Sequence, residues 1–100
     1  MNYFISYDIS KDKLRLKVSK TLERFGCERV QYSVFFAPDF VPKEIERLKE
    51  ALQKLMKDNA DKTDSVMCLA VEKKYMKNLH WVGENKGVKK SLDKPLNKLF

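Results

Sequence analysis

Several residue types that build common active sites are scarce in this sequence. Its 100 residues include only three glycines, one histidine and two cysteines. No glycine-rich phosphate loop, zinc-ligand spacing or nucleophile elbow is present. The single histidine, His80, stands beside Trp81, a setting more typical of a packed or surface residue than of a general base. The sequence therefore offers none of the common motifs for nucleotide binding, structural zinc or serine hydrolysis.

The cysteines and the apolar runs exclude further classes. Cys27 and Cys68 are far apart in the sequence, each in apolar surroundings, which predicts reduced, buried thiols and no disulfide. The opening apolar run is too short to cross a bilayer, and no basic segment precedes it. We therefore expect a cytoplasmic protein that does not associate with membranes.

Positive charge is what the sequence has in excess. It carries 21 Lys and Arg against 14 Asp and Glu, a formal net charge of +7. The hydrophobic fraction of 43% is too high for a disordered chain, and the length fits one domain. Such a charge favours an anionic partner, nucleic acid first. A basic protein with no polyanionic partner fits the charge equally well.

The first eight residues, MNYFISYD, are the most distinctive stretch. They are rich in residues that favour strands, and apolar side chains fall on both faces, which predicts an interior strand. Asp8 comes where this strand ends. A carboxylate at this point can cap the next turn or belong to a site at the strand end, and its position alone leaves both open.

A basic amphipathic helix is predicted next. Ser10 is a suitable N-cap, and Gly26 suits the position after the last turn. One stripe is apolar and recurs at helical spacing: Leu14, Val18, Leu22 and Phe25. The outer faces are basic, as solvated faces often are. A helix beginning beside Asp8 also makes four of these residues candidates for nucleic-acid binding: Lys11, Lys13, Arg15 and Lys17.

Residues 28–36 predict a single second strand. The alternation assigns Val30, Val34 and Phe36, together with Tyr32, to the face covered by helices, and Phe35 to the opposite face. Phe35 at that position suits a core residue, an interface residue or a ligand contact. Its large apolar ring favours the first two.

The second half predicts a helix, a strand and a basic tail. Pro42 fits the first turn of a helix, and Ser65–Val71 is apolar throughout, as an interior strand is. Residues 72–79 suit a short helical turn, and 80–83 a brief fourth strand. We expect one domain over residues 1–83. The basic segment 84–100 still carries apolar residues that need a covering surface, for which a partner subunit is the candidate.

These elements follow the order β-α-β-α-β-β, whereas a ferredoxin-like fold has the order β-α-β-β-α-β. The difference disappears if residues 30–40 form a bent strand or a hairpin. Either way, the prediction is an α+β fold in which two helices cover one face of an antiparallel sheet. The uncovered face and the sheet edges favour a homodimer.

Several segments together resemble one family. They are Tyr7-Asp8 at the end of the first strand, Arg15 in the helix, RVQYSVF from Arg29, and DSV from Asp64. In this order and spacing they resemble the small CRISPR-associated Cas-two family of the spacer-acquisition machinery. The resemblance extends over about residues 1–83, and the strand after Arg29 is its most specific part.

The resemblance implies a ferredoxin-like homodimer whose last segment packs on the partner's sheet. It also implies a short or irregular strand between Phe36 and Val41. The implied activity is metal-dependent endonuclease cleavage of RNA or DNA, with Mg²⁺ or another divalent cation. The implied adaptor role is to bridge two copies of the CRISPR integrase while duplex DNA lies across the basic surface. A stand-alone, toxin-like ribonuclease of related fold is the alternative, and genomic neighbourhood would separate the two.

The resemblance also assigns site residues. Asp8 matches the metal-binding carboxylate, and two copies of it across a two-fold axis would give a hard cation the oxygen ligands it prefers. Four further residues match positions implicated around that catalytic site: Tyr7, Arg15, Arg29 and Phe35. Lys17 stands where a second arginine is common. It keeps the positive charge but lacks the bidentate fork.

Overall fold

The fold is an antiparallel sheet with two helices on one face. The computed structural model describes residues 1–80, 82 and 83. Within them, the elements are β1 (Asn2–Asp8), α1 (Asp12–Arg24), β2 (Glu28–Gln31), β3 (Val34–Ala37), α2 (Pro42–Asn59), β4 (Ser65–Val71) and a 3₁₀ helix (Lys73–Asn78). The strand order is β2-β3-β1-β4, and every neighbouring pair is antiparallel. This confirms the ferredoxin-like α+β prediction and corrects the literal order β-α-β-α-β-β.

The corrected order arises because the predicted strand 28–36 is in fact a hairpin. Its turn consists of Tyr32 and Ser33, two residues with no glycine or proline to signal a break. Apolar and polar residues keep alternating through the turn, so no break in the strand pattern marks the turn in the sequence. The strand implied between Phe36 and Val41 is absent, since β3 ends at Ala37 and a turn follows.

β2 contains a β-bulge, and the helices cover the sheet face opposite to the one predicted. The register shifts between Arg29 and Gln31, so that Val30 is the extra residue. Val30 and Phe36 pack with Met76 of the 3₁₀ helix, on the sheet face opposite α1 and α2. The prediction that Val30, Val34 and Phe36 face the helices is therefore wrong. Phe35 belongs instead to the core that the helices cover.

The main core lies between the sheet and the two helices. β1 and the hairpin contribute Ile5, Tyr7, Phe35 and Ala37. One apolar stripe of each helix covers them, and the buried members of the two stripes are Leu14, Val18, Leu22, Ile45, Leu48 and Leu52. Because these stripes recur at helical spacing, both helices were predictable from the sequence.

The helix ends are formed partly as predicted. Gly26 has φ +92°, the left-handed conformation expected after the last turn of α1. Pro42 is in the first turn of α2, and the Glu44 carboxylate accepts a hydrogen bond from the Val41 N–H at 3.0 Å. The prediction of Ser10 as N-cap of α1 is wrong, since Lys11 takes that position without a side-chain cap.

β4 is an edge strand and not the interior strand that its composition predicts. Met67 and Leu69 are 68% and 63% exposed. Cys68 is also exposed, contrary to prediction, whereas Cys27 is buried; both thiols are free. Burial raises the pKa of the Cys27 thiol to about 12. A strand that is apolar throughout is typically buried on both faces. The sequence does not show whether the residues that bury it belong to the same chain.

The C-terminal predictions have mixed outcomes. The helical turn predicted over residues 72–79 is confirmed as the 3₁₀ helix. His80, Val82 and Gly83 form no strand, and Trp81 and segment 84–100 lie outside the described residues. In the part of the chain that is described, no helix is long and apolar enough to span a bilayer.

Candidate functional site

A cleft of about 310 Å³ opens between α1 and the β2–β3 hairpin. Three residues predicted for the site line it: Tyr7, Arg15 and Arg29. The remaining lining residues are Asp12, Leu16, Ser19 and Tyr32. The fold thus brings together side chains from β1, α1 and β2 that are distant from one another in the sequence.

The Arg29 guanidinium is held in place by the hairpin. Its Cζ atom lies 4.9 Å from the centroid of the Phe35 ring and 5.9 Å from that of the Tyr32 ring. Its Nη1 group also donates a hydrogen bond to the Tyr32 carbonyl oxygen. Cation–π contact and a charge-assisted hydrogen bond together orient the group. Arg29 is therefore a preorganised cationic donor in the cleft.

Phe35 supports this cleft from below and does not line it. The residue is fully buried, with 0% of its surface exposed. Its ring stacks on that of Tyr7, with centroids 6.2 Å apart and an interplanar angle of 28°. Of the three roles that its sequence position suited, the structure selects core. Phe35 was expected around the site, and it contributes there as the packing surface beneath Arg29.

The cleft has a positive balance of charge. Arg15 pairs with the Asp12 carboxylate, three residues earlier on α1, and the Asp12 side chain is 89% exposed. Two guanidinium groups thus face one exposed carboxylate, which leaves a net positive charge suited to an anion. The Tyr7 hydroxyl donates to the Tyr32 carbonyl oxygen at 3.5 Å and so connects β1 to the hairpin turn.

Asp8 lies apart from the cleft. Adjacent residues of a strand point to opposite faces, and Tyr7 belongs to the core under the helices. Asp8 is exposed on the other face, beside Ser65 of β4. Among residues 1–80, 82 and 83, no group of three or more His, Cys, Asp or Glu residues could hold a metal ion. The predicted site is therefore divided between the two faces of the sheet.

Asp64 joins the loop after Asp8 to the loop before β4. Its carboxylate accepts hydrogen bonds from the Ser10 N–H at 3.0 Å and the Asp61 N–H at 2.9 Å. The bond from the Asp61 amide, followed by that from the Ser10 amide, lowers the pKa of Asp64. In the sequence, Asp64-Ser65 is part of the family resemblance, and the connection to Ser10 and Asp61 was not predicted. The signal was a carboxylate directly before a strand.

The four residues predicted to bind nucleic acid, at the start of α1 and along it, lie in different surroundings. Lys11 pairs with Asp61 at 3.3 Å, and Arg15 faces the cleft. Lys13 and Lys17 are exposed and four residues apart, so they share one side of the helix. Lys20 and Arg24 continue this row at helical spacing, and we call these four residues the basic row: Lys13, Lys17, Lys20 and Arg24.

Comparison with known proteins agrees with the fold and the motifs. The family model described as CRISPR associated protein Cas2 matches residues 1–79. A CRISPR-associated endoribonuclease Cas2 of Archaeoglobus fulgidus is 39% identical over 61 residues, 61% of this chain and 64% of that protein. One from Chloroflexus aurantiacus is 47% identical over 58 residues, 58% and 60% of the two chains. Both matches cover less than two thirds of the relative's own length.

Two solved structures share the architecture. The hypothetical protein TT1823 of Thermus thermophilus is similar with a TM-score of 0.61 and 30% identity, over 71% of this chain and 80% of that one. Streptococcus pyogenes Cas2 is similar with a TM-score of 0.68, over 83% of this chain and 100% of that one; at 24% identity this likeness shows the fold. Because the family model spans nearly all of the described residues, this chain belongs to the Cas2 family of CRISPR-associated proteins.

Proposed function

We propose that this protein is a homodimeric, metal-dependent endonuclease of CRISPR adaptation. The observation that carries the proposal is the exposed Asp8 carboxylate at the end of β1, on the sheet face that α1 and α2 leave uncovered. Relatives with 39% and 47% identity are named endoribonucleases, which favours RNA as the first substrate to test. DNA is the second.

The surface around Asp8 favours a dimer. Met67 and Leu69 pair with Ser6 and Phe4, so their side chains lie on the same sheet face as Asp8. Both are more than 60% exposed, with values of 68% and 63%. An exposed apolar patch on an edge strand is typical of an interface. We infer a two-fold dimer formed through this face with its axis beside Asp8, so that the Asp8 carboxylates of the two copies face each other.

The residues fit a divalent cation only as a pair. A carboxylate offers the oxygen donors that Mg²⁺ prefers, but Asp8 has no further ligand-forming cluster around it in the described part of the chain. We therefore assign the cation to Asp8 from both copies, with water completing its coordination. When bound, such an ion supplies an activated water and stabilises charge on a phosphodiester.

The chain's own cations bind the nucleic acid away from that centre, in the cleft on the opposite face of the sheet. Arg15 and Arg29 provide guanidinium groups suited to the nonbridging oxygens of phosphate. Arg29 is already oriented by Phe35 and by the Tyr32 carbonyl, so little side-chain entropy is lost when phosphate binds. Their role is to hold the strand on the protein through its phosphates.

Removal of the Asp8 carboxylate tests the proposal. We expect Asp8→Ala to reduce Mg²⁺-dependent cleavage of single-stranded RNA to background, while light scattering still reports a dimer. Asp58→Ala is the matched control, since Asp58 is an exposed carboxylate on α2, remote in sequence from β1. Wild-type cleavage rates in Asp8→Ala would remove Asp8 from the mechanism, and a monomeric wild-type protein would remove the shared site.

The second candidate function is an adaptor that binds duplex DNA and bridges the CRISPR integrase. The basic row on α1 favours it, because lysines and arginines along one side of a helix suit contact with phosphates without reading of sequence. A pull-down with the cognate integrase subunit and duplex DNA tests it. Capture of the integrase supports the adaptor role, whereas RNA cleavage without capture favours the stand-alone ribonuclease.

A further inference from the structure

Tyr32 is a large aromatic residue that the fold leaves in solvent. It is 72% exposed and occupies the first position of the two-residue turn between β2 and β3. The other strongly exposed aromatic among the described residues is Tyr75, at 53%, in the 3₁₀ helix. Burial of its ring in the core therefore does not explain the presence of Tyr32 at this turn.

The surroundings of Tyr32 hold it at the mouth of the cleft. Its carbonyl oxygen accepts hydrogen bonds from the Arg29 guanidinium and the Tyr7 hydroxyl. The Arg29 Cζ atom lies 5.9 Å from the centroid of its ring. The Tyr32 backbone is thus tied to β1 and β2, and most of the ring surface stays accessible. A preorganised, exposed ring beside a cation suits stacking with a planar group.

We propose that this cleft binds one nucleotide of a single-stranded nucleic acid, with its base stacked on Tyr32 and its phosphate on Arg15 and Arg29. The inference rests on the proposed function, which requires that the protein act on nucleic acid. A volume of about 310 Å³ is at the lower end of the range for small-ligand sites, so it suits one nucleotide and not a length of duplex.

The same arrangement disfavours duplex. Bases in a duplex are stacked and paired, whereas bases of a single strand are free to stack on aromatic side chains. The cleft would therefore select unpaired strands, while the basic row on α1 binds phosphates of either form. The two guanidinium groups beside Tyr32 also favour an anion over an apolar protein surface.

The experiment compares affinities for a short fluorescein-labelled single-stranded RNA and for the corresponding duplex, by fluorescence polarisation without Mg²⁺. Loss of a stacking ring weakens single-strand binding by about 5- to 150-fold. We expect a loss of this size in Tyr32→Ala, near wild-type affinity in Tyr32→Phe, and an unchanged affinity for duplex in both. Tyr75→Ala is the matched control, since the Lys74 Nζ atom also lies near the Tyr75 ring, at 5.2 Å from its centroid.

A strand of abasic sugars separates base stacking from phosphate binding. Wild type and Tyr32→Ala should bind this probe equally, because it retains the phosphates but has no base. Equal single-strand RNA affinities of wild type and Tyr32→Ala would overturn the inference. So would a wild type that binds duplex but no single strand. A wild type that binds neither would overturn the proposed function as well. A Tyr32→Ala protein that loses its dimeric mass would assign Tyr32 to a subunit interface and overturn the stacking role.

Discussion

Substitution of Phe35 tests the assignment of this residue to the core beneath the cleft. Phe35 has no exposed surface and stacks on Tyr7, with ring centroids 6.2 Å apart. Truncation of a buried phenylalanine to alanine costs about 3–5 kcal/mol of unfolding free energy. Since small domains are stable by only about 5–15 kcal/mol, Phe35→Ala removes a large share of the total. For a chain of this size the melting temperature falls by roughly 12–40 °C.

Phe35→Leu separates packing from support of Arg29. Leucine keeps part of the buried apolar volume, so we expect a loss of about 1–2 kcal/mol and a protein that stays folded at 25 °C. It removes the ring face that lies 4.9 Å from the Arg29 Cζ atom. A lost cation–π contact of about 0.5–1 kcal/mol loosens the guanidinium. Binding of single-stranded RNA should then weaken by roughly 2- to 5-fold.

Urea denaturation followed by circular dichroism measures the stability of both variants. Phe25→Ala is a useful control, because Phe25 is only partly buried at the end of α1 and should cost less. A loss below about 1 kcal/mol in Phe35→Ala would refute the burial argument, since deletion of a buried aromatic ring costs several times more. A folded Phe35→Leu protein with no cleavage and unchanged RNA affinity would show that Phe35 does more than support Arg29.

Two further predictions concern charge. Asp64 has a lowered pKa in the folded state, so its contribution to stability is complete above its ordinary value of 3.8 and is lost as the pH falls through the lower folded value. The difference in melting temperature between wild type and Asp64→Asn should therefore shrink as the pH falls below 3.8. A difference that is independent of pH would contradict the ionic role. Reversal of Lys13 and Lys17 to Glu should weaken duplex binding and reduce the slope of log affinity against log salt by about 0.9 per lost phosphate contact. Lys43→Glu with Lys54→Glu, on the exposed side of α2, changes the net charge equally, and the same loss in both pairs would place duplex binding elsewhere.

Much of the fold was predictable because its elements have clear periodicity. Both helices carry apolar stripes at helical spacing, and β1 and β4 consist of residues that favour strands. The hairpin was predicted only as an alternative to a bent strand, because its turn residues, Tyr32 and Ser33, lack a backbone signal. The face of Phe35 was predicted wrongly, because alternation groups Val30, Val34 and Phe36 on one side but does not show which side the helices cover.

The candidate site was predictable only in part. The resemblance named Tyr7, Arg15 and Arg29, and the fold places all three in one cleft. Neither Tyr32 nor Asp64 was named for a role. An exposed tyrosine in a turn has no sequence feature that separates it from other surface residues. Asp64 accepts a hydrogen bond from Ser10, which lies 54 residues earlier in the sequence.

The sequence was sufficient to predict both helices, β1, β4 and the charged residues, since these depend on local spacing and composition. It also placed Asp8 at the end of β1, where a carboxylate is available to solvent. Tertiary packing places the helices on the Tyr7 face, so that Asp8 and the arginine cleft lie on opposite faces of one sheet. The same packing left β4 at an edge with Met67 and Leu69 exposed. The physical reason is that strand order and the choice of covered face depend on contacts between residues distant in the sequence, which local patterns do not encode.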